Sequence, residues 1–142
     1  MENNINQIYN KLNKNFDELK INTINNREVI FHDGKYIGEV INGKAEGRGI
    51  FYYNDGSRYE GDWKNNKKEG KGIYYYNDGD IYEGDFKNDK IEGKGIKYFI
   101  RGDIYKGDYT NNEKHGKGIY YYKGGDIYEG DWRNDYREGK GI

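Results

Sequence analysis

A fixed period of 23 residues constrains the fold of this chain more than any other feature. At that interval a tyrosine recurs at Tyr36, Tyr59, Tyr82, Tyr105 and Tyr128. A glycine follows each tyrosine after two residues, and a Gly-x-Gly triplet begins eleven residues after it. Such a period is the signature of a repeat array, in which each unit packs mainly on its neighbours. We therefore expect an elongated protein built from one recurring supersecondary unit.

The repeated unit is clearest in residues 59–81, which read YEGDWKNNKKEGKGIYYYNDGDI. Its order of Tyr-x-Gly-Asp-Trp, then Gly-Lys-Gly, then Asp-Gly resembles the MORN repeat (membrane occupation and recognition nexus). The resemblance covers residues 36–142, four full units and most of a fifth. The first unit departs most, with Ile37, Glu39 and Val40 where the second has Glu, Asp and Trp. The resemblance implies the fold but no specific function, because MORN arrays serve as scaffolds in many contexts.

Each unit is predicted to form a β-hairpin. In the second unit the predicted strands are Tyr59–Lys64 and Lys71–Tyr76, joined by a loop at Asn65–Gly70. Asn77–Asp80 is predicted to turn into the next unit, since glycine and asparagine supply positive φ. The fold class is therefore mostly β: an elongated single-layer antiparallel β-meander of MORN hairpin repeats with a short N-terminal α-helix.

Side-chain size suggests a strand register. We expect Trp63 opposite Gly72 and Tyr59 opposite Tyr76, so that a large ring meets a glycine or the ring at the end of the repeat. Because side chains alternate along a strand, one face then carries Tyr59, Gly61, Trp63, Gly72, Tyr74 and Tyr76. The opposite face carries Glu60, Asp62, Ile73 and Tyr75.

The N-terminal region differs from the repeats, because no glycine precedes Gly34. Apolar residues with helical spacing predict an amphipathic helix at about 3–20. A lead-in strand is expected at Glu28–Phe31. We divide the chain into a cap, residues 1–33, and a repeat array, residues 34–142. The helix is expected to pack on the first repeat through Ile8, Leu12 and Phe16; the alternative is a helix that binds a partner.

Composition narrows the possible functions. The chain has no cysteine, which excludes disulfides, zinc–thiolate sites and cysteine nucleophiles. Only 33% of residues are hydrophobic, but 17 tyrosines can supply apolar area. No signal peptide or membrane span is recognisable. We expect a cytoplasmic protein, with a place at the periphery of a membrane or cytoskeletal structure as the more specific alternative.

No pattern predicts catalysis. Gly70-Lys71-Gly72 lacks the following helix that a phosphate-binding loop needs. Glu60 and Asp62 recur in several units as carboxylates of a solvated face. His32 and His115 have no nucleophile motif nearby. We expect a non-enzyme without cofactor, metal or nucleic-acid ligand.

Two sets of residues are candidate binding sites. The first is an aromatic groove for a protein segment, with ring stacking between repeats as the alternative, formed by Tyr52, Tyr75, Tyr98 and Tyr121. The second is a basic edge, expected because all hairpin loops fall along one edge of a meander; it would meet an anionic membrane surface, with solubility and cross-strand ion pairing as the alternative role. Its lysines are Lys64, Lys67, Lys68, Lys71, Lys87, Lys90, Lys94, Lys114 and Lys117.

These sites lead to one preferred function and two alternatives. The preferred one is a scaffold or adaptor that binds a protein segment, or a second copy of the chain, through the groove or a sheet edge. The first alternative is recognition of anionic phospholipid headgroups. The second, implied by the resemblance alone, is an accessory region of a longer lipid kinase or methyltransferase. The sequence ends within a hairpin, so we expect a fragment or an edge covered by another chain.

Overall fold

The computed structural model describes residues 7–8, 27–139 and 141–142. This part of the chain forms one open sheet whose spatial order follows the sequence, with every adjacent pair antiparallel. The strands are β1 (Arg27–Phe31), β2 (Gly34–Ile41), β3 (Lys44–Tyr53), β4 (Arg58–Lys64), β5 (Lys67–Tyr75), β6 (Ile81–Lys87), β7 (Lys90–Tyr98), β8 (Ile104–Thr110), β9 (Glu113–Tyr121), β10 (Ile127–Arg133) and β11 (Tyr136–Glu138). The predicted single-layer meander is confirmed.

The turn inside each repeat is shorter than predicted. Asn65 and Asn66, with φ of 49° and 65°, form the whole connection between β4 and β5. Asparagine tolerates this left-handed conformation, which two-residue hairpins of the right twist require. The prediction of a loop at Asn65–Gly70 is therefore wrong, and β5 already begins at Lys67.

A bulge interrupts the pairing in four hairpins, and on the side away from the turn the register differs by two residues from the prediction. Tyr59 pairs with Tyr74 and Gly61 with Gly72, but Trp63 pairs with Lys68. Within the bulge, the Asp62 carboxylate accepts a hydrogen bond of 3.0 Å from the Lys71 backbone amide. The equivalent bonds in the next two units are 2.9 Å and 3.1 Å long. The shift is two residues at Tyr59 and four at Trp63, and an even shift keeps every side chain on its predicted face, so the assignment of faces is confirmed.

The first face of the sheet holds the aromatic core. Nine rings follow one another edge to face, with centroids 4.9 to 5.4 Å apart, in the order Tyr36, Trp63, Tyr59, Phe86, Tyr82, Tyr109, Tyr105, Trp132 and Tyr128. Each contact joins rings within a unit or across neighbouring units, which is the favoured geometry for aromatic pairs. The core therefore extends along the array through nearest neighbours.

Glycine makes room for the tyrosine ring of each unit. A Cβ on Gly118 would stand 2.6 Å from Cζ of Tyr105, closer than ordinary van der Waals contact allows. The Tyr105 hydroxyl donates to the backbone carbonyl of Asp108 at 2.8 Å. The recurring tyrosine and the Gly-x-Gly triplet therefore form one packing unit.

The N-terminal predictions meet the structure only in part. The predicted helix at about 3–20, with Leu12 and Phe16, lies outside the described residues except for Gln7 and Ile8, which are helical. The lead-in strand is present as β1.

Candidate binding face

The second face of the sheet carries the side chains that alternate with the aromatic core. Its central rows hold an isoleucine and a tyrosine from each unit, for example Ile96 and Tyr98 on β7. The four tyrosines of the predicted groove do lie on this face. Tyr75 is buried, whereas Tyr52, Tyr98 and Tyr121 are half-buried.

These four tyrosines do not stack on one another in the described part of the chain. A residue of the intervening strand separates each pair: Ile81 pairs in register with Tyr75 and Tyr98, and Ile104 with Tyr98 and Tyr121. Earlier in the array Arg58 takes this place, with its guanidinium carbon 3.8 Å from the ring centroid of Tyr75. The second face is therefore an alternation of rings and aliphatic or cationic side chains.

An open groove of about 640 Å³ crosses strands β7 to β10 on this face. We call it the open groove; its side-chain lining includes Lys94, Ile96, Lys106, Lys117, Ile119 and Tyr121. A smaller depression of about 440 Å³ lies in the preceding units and contains Glu60 and Glu83. The depression is also lined by Arg48, Lys71 and Lys94, and the open groove by Glu129, so the main difference is that Lys106 stands in the open groove where the preceding units have glutamate.

Lys106 makes the open groove basic. It occupies the position that Glu60, Glu83 and Glu129 hold in other units, and it pairs in register with Ile96 and Ile119. Lys106 is exposed, and no ion pair joins it to another described residue. Sequence reasoning missed it, although the break in the column of glutamates was a readable signal.

The other lysines of the open groove form exposed ion pairs with the next repeat. Lys94 forms an ion pair with Asp108 at 2.8 Å, and Lys117 forms one with Asp131. Hydrogen bonding to Asp108 is the main reason that the pKa of Lys94 is raised. These pairs connect neighbouring units, and Lys106 is the lysine of the open groove that has no ion pair among the described residues.

The nine lysines of the predicted basic edge do not form one surface. Lys68 and Lys114 point into the first face, where each faces aromatic rings and pairs with an aspartate. Burial lowers the pKa of Lys68. Lys71, Lys94 and Lys117 pair with aspartates of the following repeat. The remaining members are exposed and have no ion pair among the described residues: Lys64, Lys67, Lys87 and Lys90.

Metal and membrane-spanning features are not found in the part of the chain that the structure describes. There, no group of three or more His, Cys, Asp or Glu residues could hold a metal ion. No helix among the same residues has the length and apolar character to cross a membrane.

The repeat units defined by this geometry coincide with a known family. A family model for the MORN repeat matches residues 36–58, 59–81, 82–104, 105–127 and 128–142. No curated protein matches the chain. Because the five matches cover most of the sequence without a gap, the chain belongs to the MORN-repeat family.

Proposed function

We propose that this protein is a non-catalytic scaffold or adaptor that binds a protein segment in the open groove. The observation that carries this proposal is a lysine, Lys106, that has no ion pair among the described residues and lies between Ile96 and Ile119 in a groove of about 640 Å³. A cation flanked by apolar side chains suits a ligand that presents a carboxylate beside an apolar residue. Tyr121 adds a ring with large contact area and few rotamers to lose.

Affinity capture from the protein's own cells, followed by mass spectrometry, tests this proposal. The decisive comparison is between wild type, Lys106→Glu and Ile119→Asp, because both changes alter the open groove. We expect a partner that wild type retains and both groove variants lose. If every captured protein binds the groove variants as well as wild type, the open groove is not the binding site.

A second candidate function is attraction to an anionic membrane surface, and the hairpin turns favour it. Lys64 lies directly opposite Lys67, and Lys87 lies opposite Lys90 in the adjacent hairpin. Like charges opposite each other on paired strands are destabilising, so these lysines do not serve the fold. Near an anionic bilayer each contributes about 1 kcal/mol of attraction.

Co-sedimentation with vesicles containing phosphatidic acid or phosphoinositides tests this second candidate. An edge variant, with these four lysines changed to glutamate, should lose binding, and high salt should abolish the binding of wild type. Lys106→Glu is the control, since it reverses one charge in the open groove and leaves the lysines of the hairpin turns unchanged. Absence of vesicle binding by wild type at low salt would contradict the lipid function. In the partner-capture experiment, the edge variant serves as the control that leaves the open groove unchanged.

A further inference from the structure

Two lysines of the first face lie among aromatic rings. The ammonium group of Lys68 is 5.6 to 5.8 Å from three ring centroids, and that of Lys114 is 5.5 to 6.0 Å from three others. Lys68 also pairs with Asp89 at 3.7 Å. Two repeats later, Lys114 pairs with Asp135 at 3.3 Å. Rings and a carboxylate thus hold an ammonium group in both units. The rings are Tyr53, Tyr59 and Tyr74 around Lys68, and Phe99, Tyr105 and Trp132 around Lys114.

The first unit has an alanine and a pocket at the equivalent place. Ala45 precedes Lys68 by one period of 23 residues, and it lines a pocket of about 370 Å³ on the first face. This volume is in the range of pockets that bind small ligands. Among the described residues, no lysine or arginine lies over the four rings that surround Ala45. We call it the first-face pocket; its rings include Phe31, Tyr36, Phe51 and Trp63.

The charged side chains that line the first-face pocket favour a cation. Two carboxylates, Asp33 and Asp89, against one ammonium group, Lys68, leave a net charge of −1 when His32 is neutral. The side chain of Asp33 is 53% exposed, and its ion-pair contact among the described residues is with His32 at 4.0 Å. Burial lowers the pKa of Lys68, and the carboxylates of Asp89 and Asp33 oppose that shift. An additional cation would therefore meet ring faces and a carboxylate.

The array already holds two ammonium groups at one ring. Lys97 and Lys114 lie 5.0 Å and 6.0 Å from the ring centroid of Phe99. Each of these lysines pairs with its own aspartate, at 3.9 Å and 3.3 Å. A second ammonium group beside Lys68 would likewise find two carboxylates, so the presence of Lys68 does not exclude it.

We infer that the first-face pocket binds the lysine side chain of a protein segment, in the place that Lys68 and Lys114 occupy in their own units. The aliphatic stem of the ligand covers the rings, and its ammonium group faces the carboxylate of Asp33. Asn66 stands where the turns beside Lys68 and Lys114 have an aspartate, so Asp33 supplies the carboxylate in this unit.

The carboxylate also decides between an ammonium group and an aliphatic ligand. The third unit shows the aliphatic arrangement, because Ile91 holds the position of Ala45 there and is buried. In the first unit an aliphatic ligand would remove water from Asp33 without giving it a cation, which is unfavourable. The ammonium group of a lysine gives it one.

Ile8 lies on the opposite face and does not fill the first-face pocket. It packs against Tyr75 and Ile81 of the second repeat. The prediction that Ile8 packs on the first repeat is therefore wrong. The open groove also lies on that second face, so the first-face pocket is a separate site that does not depend on the proposed function.

An NMR titration of the full chain with N-acetyl-lysine amide tests the inference. Trp63 lines the pocket, so its indole N–H signal reports binding, and Trp132→Phe identifies that signal by removing the other tryptophan. N-acetyl-norleucine amide is the matched probe, since its side chain is that of lysine without the ammonium group. We expect the lysine probe to shift the Trp63 signal saturably and the norleucine probe to bind roughly tenfold more weakly, the factor that a cation over aromatic rings corresponds to.

Variants of the pocket locate the binding site. Asp33→Asn should weaken binding of the lysine probe about two- to fivefold, as expected for loss of an exposed ion pair. Asp126→Asn is the control, because it removes an exposed aspartate outside the pocket. Ala45→Lys should abolish binding, because the chain's own ammonium group then fills the pocket as Lys68 does one repeat later. Asp33→Asn changes an exposed residue and keeps the test valid if Ala45→Lys does not fold.

Three results would overturn the inference. They are equal binding of the lysine and norleucine probes, no shift of the Trp63 signal with the lysine probe, and unchanged lysine binding after Asp33→Asn. The proposed function is tested separately, since it depends on whether Lys106→Glu abolishes partner capture. Lys106→Glu should bind the lysine probe as wild type does, so failure of one site leaves the other standing.

Discussion

Gly118→Ala is the change that most sharply tests how the first face holds the array together. The added Cβ would stand 2.6 Å from Cζ of Tyr105, whereas ordinary contact begins at 3.4 Å. The ring must therefore move by roughly 1 Å in a closely packed interior. Tyr105 is completely buried, with Tyr109 and Trp132 each 5.2 Å from its centroid, so its neighbours have to move too.

The expected cost combines two effects. Overpacking of a well-packed core costs about 1–3 kcal/mol. Displacement of the ring also weakens the 2.8 Å hydrogen bond from the Tyr105 hydroxyl to the Asp108 carbonyl, which contributes about 1 kcal/mol. We expect the free energy of unfolding to fall by about 2–4 kcal/mol.

Urea unfolding followed by circular dichroism measures this loss. Gly124→Ala is the matched control in the same repeat, because nothing lies within 4 Å of its added Cβ. Its effect should stay within about 0.5 kcal/mol. In a Tyr105→Phe background, Gly118→Ala should cost about 1 kcal/mol less, because the hydroxyl bond is already absent. Equal stabilities of Gly118→Ala and Gly124→Ala would refute the packing unit of glycine and tyrosine.

Three further changes probe other parts of the molecule. Tyr109→Phe should stabilise the array by about 1 kcal/mol in urea unfolding, since the buried hydroxyl has no hydrogen-bond partner among the described residues; a loss of stability would contradict this. Burial raises the pKa of Asp85, but hydrogen bonds from Lys71 and Lys94 outweigh it and hold the pKa below its usual value. The ionised Asp85 carboxylate therefore stabilises the folded array above about pH 4, and this stabilisation is lost as the pH falls further. Asp85→Asn should accordingly weaken the dependence of the urea midpoint on acid pH. Tyr121→Ala, which removes a ring that lines the open groove, should reduce partner capture while lowering the free energy of unfolding by no more than about 2 kcal/mol; unchanged capture would contradict a role of this ring in binding.

The repeat and the two faces of the sheet could be predicted because they depend on periodicity. The recurrence of Tyr59 fixed the unit, and alternation along the strand separated Tyr74 from Tyr75. Neither inference requires knowledge of which residues pair across strands. For that reason the repeat unit and the two faces were predicted correctly although the register was wrong.

The register could not be predicted from side-chain size, because the bulge depends on backbone geometry. Gly70 has a φ of 95° there, and the Asp62 carboxylate accepts the amide hydrogen of Lys71. In the sequence, Asp62 looked like one member of a pair of solvated carboxylates. Its recurrence reflects this hydrogen bond in the structure.

Two features of the second face, the charge of Lys106 and the position of Ile8, could not be predicted from the sequence, for different reasons. Lys106 was visible as a break in a column of glutamates, but its lack of an ion pair among the described residues depends on the aspartates with which Lys94 and Lys117 pair. The position of Ile8 on the second repeat depends on long-range packing, which no local pattern encodes.

The most direct test of the central claim is a footprint of the second face in a partner complex. Ile119→Cys places a single thiol in the open groove, and its labelling rate can be measured before and after the captured partner is added. The account predicts that the partner protects this thiol while leaving the rate at Lys87→Cys, on the hairpin edge, unchanged. A complex in which Ile119→Cys is labelled as fast as in the free protein would contradict the account.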